Sequence, residues 1–302
     1  MSPSPGPVNE LCARWRTAIP EIAVARAIAD AFPDLADAEP PIALQDFARR
    51  RGITDIVTTP LDNDGEIAAI GKGLFAVQLN ARQSVARRRF TLAHEIGHTF
   101  FFELEEVQGA DWLRPRDVDL RRVHAAKDVE HYCNLIASEL LMPAKQFSLA
   151  LQRLGVGAPS LLQLAGLFRV SVQAAARRMV QLAPVKLAVA MWQHRPEHQD
   201  CYSLWTAGRI RARDGADRLI VTSRDPVYAV FTSEQRFAQR VWFTLGRSLD
   251  KCFVDGVGLH NRSGRRILTV FVLHPNAEYH VGTADLSSPA EPAEPPDQPT
   301  FL

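Results

Sequence analysis

The sequence predicts an α+β protein, because helical and strand-like patterns occupy separate blocks along its 302 residues. Before residue 184, apolar residues recur at intervals of three and four in several stretches, which is typical of amphipathic helices. After Pro184, short runs of β-branched and aromatic residues alternate with Gly, Asp and Ser turns, which is typical of strands. A composition of 46% hydrophobic and 23% charged residues indicates a globular chain and excludes a wholly disordered one.

The charge balance excludes a globally basic nucleic-acid binder. Lys and Arg total 35 and Asp and Glu total 34, so any basic surface must be local. The four cysteines are far apart and form no CxxC pair, which favours free thiols in a reducing compartment: Cys12, Cys133, Cys201 and Cys252. The N-terminus lacks the pattern of a signal peptide, and no apolar run approaches the roughly 18 residues of a membrane span. We therefore expect a cytoplasmic protein with no membrane partner.

The first 150 residues are predicted to form helices around a small group of strands. A helical pattern at 9–32 is interrupted at Pro20, and the Pro-containing stretch 34–41 is typical of a linker. The predicted elements that follow are a helix at 42–51, strands at 55–59, 66–70 and 74–79, a helix at 84–104, a polar loop at 107–123 and a helix at 126–141 that ends before Pro143.

The rest of the chain is predicted to be helical over 144–183 and strand-rich beyond Pro184. The predicted strands are 186–192, 202–206, 218–222, 227–231, 241–245, 253–257 and 267–273, with a short helix at 235–240. The predicted domains are an N-terminal helical extension (1–40), a mixed domain (41–150), a helical segment (151–185), a strand-rich domain (186–286) and a disordered Pro/Glu-rich tail (287–302).

The sharpest chemical motif is His94-Glu95-Ile96-Gly97-His98. Residues four apart on a helix share a face, so both imidazoles can bind one metal ion. The carboxylate of Glu95, one residue after the first histidine, can then reach a water molecule at the ion without replacing it. The alternative is a pair of surface histidines on an amphipathic helix, although both border a strongly periodic apolar stripe.

Two imidazoles require a third protein ligand for a tight zinc site. The downstream candidates are Glu103, Glu105, Glu106, His124, Glu130, His131 and Glu139. Glu130 is best placed, because it lies on the next helix and borders that helix's apolar stripe. Spacing alone is equally compatible with a ligand and with an exposed helix charge. Asn134, one turn later, shares the face of Glu130 and can orient a ligand from behind.

Two segments together resemble the ImmA/IrrE family of metallopeptidases: RRRFTLAHEIGH (Arg87 to His98) and EHYCNLIASELLMP (Glu130 to Pro143). The resemblance implies a zincin-like metallopeptidase domain over 41–150. It further implies that His94, His98 and Glu130 bind the metal and that Glu95 is the general base. Zinc is the expected ion for two imidazoles and a carboxylate with an open position, and Mn²⁺ or Fe²⁺ are alternatives.

The resemblance also implies a substrate, which is a helix-turn-helix transcriptional repressor. The expected function is that of an endopeptidase of restricted specificity, whose cleavage of the repressor induces stress-response or mobile-element genes. The alternative is a DNA-binding or partner-sequestering regulator with a structural metal site. Three residues near Glu130 are candidates for the group that stabilises the transition state, although each is more often a simple surface residue: His124, His131 and Tyr132.

Residues 161–182 have the pattern of a helix-turn-helix, with Ser171 as the predicted N-cap of the second helix. The candidate DNA contacts are the residues expected to point outward: Gln173, Arg177 and Arg178. Two arginines provide little positive charge for DNA binding. The pattern therefore favours a helical hairpin that packs on its neighbours over direct DNA binding.

The region 186–286 is predicted to be a strand-rich domain, and the resemblance implies a GAF-like sensor there. Its aromatic residues can form a core or line a small-molecule pocket: Trp192, Tyr202, Trp205, Phe231 and Trp242. The polar turn 260–266 carries three arginines. It is predicted to be a solvated hairpin tip, with an anion or partner site as the alternative.

Overall fold

The computed structural model describes residues 6–71, 73–102, 120–208, 220–224, 226–232, 237–245, 248–261 and 264–272. The α+β class is confirmed. The helices are α1 (Pro7–Arg14), α2 (Pro20–Ala31), α3 (Leu44–Arg50), α4 (Val85–Phe102), α5 (Leu120–Leu141), α6 (Ala144–Leu154), α7 (Ala158–Phe168), α8 (Val172–Leu182) and α9 (Pro226–Thr232). No helix within these ranges is long and apolar enough to cross a membrane.

The strands form one small and one larger sheet. They are β1 (Ile53–Thr59), β2 (Gly65–Gly71), β3 (Leu74–Asn80), β4 (Leu187–Arg195), β5 (Asp200–Gly208), β6 (Ile220–Thr222), β7 (Phe237–Leu245), β8 (Ser248–Asn261) and β9 (Gly264–Val272). The chain divides into two compact units, the first covering residues 1–146 and 168–170, the second 147–167 and the part that follows from 171. Of the predicted loop at 107–123, residues 107–119 lie outside the described residues, as does the predicted disordered tail. Residues 120–123 instead form the start of α5, so the loop prediction is wrong there.

The first unit is built on a three-stranded sheet in the order β1-β3-β2. Strand β1 runs parallel to β3, and β2 pairs antiparallel with it. Helix α4 packs against β2 and β3 and also against α5, so it lies between the sheet and the second long helix. The rings of Phe47 and Phe100 contact Phe32 edge-on, at centroid distances of 4.7 and 6.1 Å, and anchor α2 and α3 to the end of α4. This packing fixes the helix that carries the histidines.

The second unit contains a six-stranded antiparallel sheet in the order β6-β5-β4-β9-β8-β7. Its core is centred on Trp192, which is fully buried and whose ring lies 5.0 Å from that of Phe231 on α9. The Trp192 indole Nε1–H donates a 2.8 Å hydrogen bond to Thr269 Oγ1, which satisfies its one polar group.

The helices α7 and α8 belong to this second unit. Helix α8 contacts β4 and β5. The buried carboxylate of Asp255 on β8 accepts a 3.0 Å hydrogen bond from the backbone N–H of Ala158, so the sheet caps the first turn of α7. A Cβ at Gly157 would lie only 2.2 Å from Asp255 Oδ2, which explains the glycine there. The division of 151–185 and 186–286 into separate domains stays a prediction.

Two predicted elements of the second unit are wrong. Residues 227–231, predicted as a strand, form α9, because Pro226 starts the helix and places Tyr228 and Phe231 on one face against the core. Of residues 235–240, predicted as a short helix, 237–240 instead lie in β7, which pairs with β8 from Phe237 to Leu245. Cross-strand pairing overrides local propensity in the second case.

We expect Asp255→Ala to loosen α7 selectively. Loss of an N-cap typically costs about 1 kcal/mol and up to about 2 kcal/mol, which changes a local equilibrium roughly 5- to 30-fold. Hydrogen exchange measured by mass spectrometry should therefore be about 5- to 30-fold faster in α7. The control is Glu197→Ala, which removes an exposed carboxylate from the same unit and should leave exchange in α7 unchanged. Equal exchange in the two variants would contradict the capping role.

Candidate metal centre

Helix α4 presents His94 and His98 one turn apart on the same face. Their side chains are 15% and 16% exposed, so both rings are largely enclosed but reach the surface. The two Nε2 atoms lie 3.1 Å apart and therefore point at a common position. The helix forms as its apolar stripe predicts, with Ala93, Ile96 and Phe100 buried.

Helix α5 brings Glu130 to the same position. Its Oε2 lies 3.0 Å from His94 Nε2, and its Oε1 lies 3.3 Å from His98 Nε2. The Glu130 side chain is 55% exposed, so the third donor stands on the solvent side of the cluster. The structure thus brings together the three residues that the resemblance implies as ligands.

The two helices approach closely because residue 97 is glycine. A Cβ at Gly97 would lie 3.0 Å from Cys133 Cα and 3.2 Å from its carbonyl oxygen, tighter than most contacts of this kind. Cys133 is fully buried at this crossing. Any larger side chain at 97 would push α5, and with it Glu130, away from the histidines.

The donor set fits a divalent ion. In a tetrahedral zinc site with bonds of about 2.0–2.1 Å, two ligand atoms lie roughly 3.3–3.4 Å apart. The three donor separations, 3.1, 3.0 and 3.3 Å, are close to that value. Two imidazole nitrogens and one carboxylate are also the donors that catalytic zinc sites use, with one position left for water or substrate.

Asn134 lies behind His94, as its position on the face of Glu130 predicts. The Nδ1–H of His94 donates to Asn134 Oδ1 at 3.1 Å. With Nδ1 protonated in this way, a metal ion would bind at His94 Nε2 in place of the proton that Nε2 shares with Glu130.

The cluster shifts the pKa values of its members in opposite directions. Burial alone would lower the pKa of His94, but its hydrogen bond to Glu130 and the nearby carboxylate charges outweigh burial and raise it. Burial and the adjacent His94 lower the pKa of His98 to about 4. The hydrogen bond from His94 holds the pKa of Glu130 below its ordinary value. Glu130 is therefore a carboxylate and His98 a neutral imidazole at pH 7, the protonation states that bind metal.

Glu95 is 6% exposed and lies under the edge of the small sheet. Its Oε1 is 3.6 Å from the position that a Cβ would take at Gly65 on β2. Burial raises the pKa of Glu95 to about 7, although the neighbouring His94 acts in the opposite direction. A carboxyl group with this pKa can both accept and release a proton near neutral pH.

Cys133 carries a candidate donor atom that sequence reasoning missed. One donor atom from each of His94, His98 and Cys133 lies within 4.8 Å of the other two. Burial raises the pKa of the Cys133 thiol well above its ordinary value. The signal in the sequence is its position three residues after Glu130, which places it on the face of α5 that meets α4.

The remaining candidates are not all at the donor cluster. Tyr132 is buried and hydrogen-bonds Glu21 on α2, and His131 is exposed with its ring against that of Tyr132. Glu139 accepts from the backbone N–H of Ala144 at 2.9 Å and so caps α6. Outside the described part of the chain lie the side chain of His124 and residues Glu103, Glu105 and Glu106.

The helix pair in the second unit differs in one respect from its sequence pattern. Ser171 caps α8 as predicted, because its Oγ accepts from the Ala174 N–H at 3.1 Å. Arg178, which the pattern places outward, is 8% exposed, and its Nη1 lies 3.5 Å from Gln181 Oε1. The expectation that Arg178 points outward is wrong, because its side chain is buried on a helix that packs on β4 and β5. The DNA contacts of Gln173, which is half-buried, and of Arg177, which is exposed, stay predictions.

The site defines a class of metalloprotein in which two histidines of one helix and a glutamate of the next form the donor set. Residues 76–180 match the peptidase M78 family model, the IrrE N-terminal-like domain. A radiation response metalloprotease, IrrE, of Deinococcus radiodurans is 30% identical over 122 residues, which are 38% of this chain and 34% of that protein. The family match and this relative confirm the resemblance of this segment to ImmA/IrrE metallopeptidases.

The match spans about a third of the length of the Deinococcus relative. Among solved structures, a Mycobacterium tuberculosis transcriptional regulator is similar over 82% of this chain and 87% of that chain. Its TM-score is 0.48 and its sequence identity is 11%. A likeness of this degree defines neither the fold nor the function of the chain.

We expect Glu130→Ala to weaken zinc binding at least about 100-fold, because it removes a donor that lies 3.0 and 3.3 Å from the two imidazoles. The matched variant Cys133→Ala, on the same helix, should change the Kd less than about threefold. Competition with a chromogenic chelator measures both. Loss of binding in Cys133→Ala with retention in Glu130→Ala would make the thiol the third donor. Loss in His124→Ala or His131→Ala would contradict the choice of Glu130.

We expect Gly97→Ala to lower zinc affinity roughly tenfold, because the added Cβ displaces the α5 donors from the histidines. It should also destabilise the fold by about 1–3 kcal/mol through overpacking. Gly166→Ala is the control, since a Cβ at that helical glycine meets nothing within 4 Å. The control should be neutral or stabilising by up to about 1 kcal/mol. Chelator competition measures zinc affinity, and thermal unfolding measures stability. Identical zinc affinities in the two variants would contradict the inference that close packing at Gly97 positions the α5 donors.

Proposed function

We propose that this protein is a metal-dependent endopeptidase with a zincin-like catalytic domain over 41–150. The observation that carries the proposal is the convergence of His94 Nε2, His98 Nε2 and the Glu130 carboxylate beside the buried Glu95. The match of residues 76–180 to the peptidase M78 family model supports the same reaction class. The GAF-like assignment of 186–286 rests on the resemblance alone.

The metal that suits this donor set is Zn²⁺, with Mn²⁺ or Fe²⁺ as alternatives. His94, His98 and Glu130 would hold it. A divalent ion there would supply Lewis acidity, which would polarise a substrate carbonyl and lower the pKa of water towards about 7. Asn134 contributes by fixing the ring orientation of His94.

Glu95 is the general base of the proposed reaction. It accepts a proton from the attacking water and passes it to the leaving amine, so one carboxyl group serves both halves of peptide hydrolysis. Its burial keeps the proton affinity high enough for both transfers, and its pKa of about 7 lies near the working pH.

The edge of the small sheet offers a place for the substrate backbone. Strand β2 is an edge strand in the described sheet order, and Gly65 at its start lies over Thr91 and Glu95 of α4. An extended peptide that adds to β2 by main-chain hydrogen bonds would pass close to the Glu95 carboxylate. This mode selects unfolded or extended segments, which is consistent with restricted specificity.

We further propose that the substrate is a cytoplasmic helix-turn-helix transcriptional repressor, and that cleavage induces stress-response or mobile-element genes. This step is supported by the ImmA/IrrE resemblance and by the radiation-response name of the Deinococcus relative. Direct DNA binding by 161–182 is not favoured, because α7 and α8 are packed against the sheet of the second unit.

The experiment is cleavage of a candidate repressor by wild type and Glu95→Gln. The variant keeps the size and hydrogen-bonding capacity of the side chain but cannot take up a proton as a carboxylate does. It should bind zinc normally yet cleave at least about 10²-fold more slowly. Chelation should abolish cleavage by wild type, and added zinc or manganese should restore it.

Glu39→Gln is the matched control, because Glu39 is an exposed carboxylate of the same unit, and it should cleave as wild type does. Equal cleavage by Glu95→Gln would remove Glu95 from the mechanism. An intact repressor in a stable complex with the metal-loaded wild type would support sequestration instead. Full regulatory activity in Glu95→Gln, lost in Arg177→Ala, would support a DNA-binding regulator.

A further inference from the structure

The second unit contains a cavity that the proposed peptidase reaction does not use. Its volume is about 520 Å³, within the roughly 300–1,000 Å³ range of small-molecule sites. It lies where β4 ends, beside β5 and the start of β9. The lining residues are Gln193, His194, Arg195, Pro196, Glu197, Tyr202, Leu204, Arg265 and Arg266. Two of the arginines come from the polar turn for which the sequence left an anion site open.

Two of the three arginines that line the cavity already form hydrogen bonds with other protein groups. Arg195 forms a bidentate pair with Asp200, at 2.8 and 2.6 Å, and its guanidinium lies 4.8 Å from the centre of the Tyr202 ring. Arg265 donates to the carbonyl oxygens of Phe231 and Thr232 at the end of α9. These contacts hold both side chains in place along the cavity wall.

Of the three arginines that line the cavity, Arg266 has the weakest interactions with other groups in the described residues. On β9 it is opposite Gln193 of β4, and its Nε–H donates to Gln193 Oε1 at a long 3.4 Å. The Gln193 amide is itself fixed, because its Nε2 donates to the Arg265 carbonyl oxygen at 3.1 Å. Within the described ranges, Arg266 forms no salt bridge with a carboxylate. Among the described residues, its hydrogen-bond partner is the neutral amide of Gln193, which does not balance the guanidinium charge.

The charges of the lining sum to an excess of positive charge. Arg195, Arg265 and Arg266 face a single lining carboxylate, Glu197, and Asp200 offsets Arg195. The nearby His194 adds no charge at pH 7, because burial and the charge of Arg265 lower its pKa. Its Nε2 lies 3.3 Å from the Tyr228 hydroxyl, so it offers a polar but neutral wall.

We propose that this cavity binds a small organic anion, with the carboxylate or phosphate group at Arg266 and the carbon skeleton against Tyr202 and Leu204. A guanidinium fork recognises both anions through paired hydrogen bonds. The half-buried Tyr202 and Leu204 add apolar surface that inorganic phosphate cannot use. An organic anion therefore gains from both parts of the wall.

The experiment is calorimetric titration of the full chain with phenyl phosphate, benzoate, inorganic phosphate and phenol. Phenyl phosphate or benzoate should bind saturably with a Kd of about 1 mM or below. Inorganic phosphate should bind more weakly than phenyl phosphate, and phenol should not bind. Whichever organic anion binds more tightly identifies the preferred group. Saturable binding of phenol with equal affinity, or of neither organic anion up to 10-fold above that concentration, would overturn the proposal.

The variant Arg266→Gln should weaken binding of the preferred anion at least about fivefold, since a charge-assisted hydrogen bond is lost. Arg224→Gln, an exposed arginine of the same unit outside the cavity, is the matched control and should bind as wild type does. Thermal unfolding of both variants checks that they are folded. Unchanged anion affinity in a folded Arg266→Gln variant would also overturn the proposal. The assay needs neither metal nor peptidase activity, so it stands apart from the test of Glu95.

Discussion

The metal centre depends on the contact between Gly97 of α4 and the backbone of Cys133 on α5. Histidines placed four residues apart can be supplied by any suitable helix, but the third donor has to cross from a second helix. The 3.0 Å between a virtual Cβ at 97 and Cys133 Cα leaves room for a hydrogen atom only. Because the crossing is this close, the Glu130 carboxylate reaches both imidazoles within 3.3 Å. Asn134, one turn further, meets His94 for the same reason.

The same packing shifts the pKa values of two carboxyl groups, Glu95 and Glu130, in opposite directions. Glu95 lies inside the helix–sheet layer, where loss of hydration raises its pKa to about 7. Glu130 stands on the solvent side and is hydrogen-bonded by His94, which lowers its pKa. One carboxylate is thereby suited to carrying a proton and the other to staying ionised as a ligand. Burial, rather than sequence distance, decides between these roles.

Much of the first unit could be predicted from sequence because its signals are local. The periodic stripe of α4, the turn glycines of the hairpin and the spacing of His94 and His98 are all short-range patterns. The position of Glu130 could not be fixed by spacing, since it depends on a helix crossing that only Gly97 permits. In the second unit, 227–231 reads as a strand because aromatic and β-branched residues suit a helix on a core as well as a strand. Residues 237–240 read as a helix because the pairing with β8 that makes them a strand leaves no local signal.

The helix pair α7–α8 shows why a pattern can be correct and its interpretation still incomplete. The turn, the Ser171 cap and the apolar faces are those of a helix-turn-helix, and the structure has them. In this chain, however, both helices interact with other parts of the second unit. Asp255 of the sheet caps the start of α7, and Arg178 of α8 is buried beside Gln181, so it is not exposed for DNA contact. Capping and periodicity specify that two helices form and pack together. They do not specify which surface faces outward, because that depends on the sheet: α8 packs on β4 and β5, and Asp255 of β8, which caps α7, lies 97 residues after Ala158.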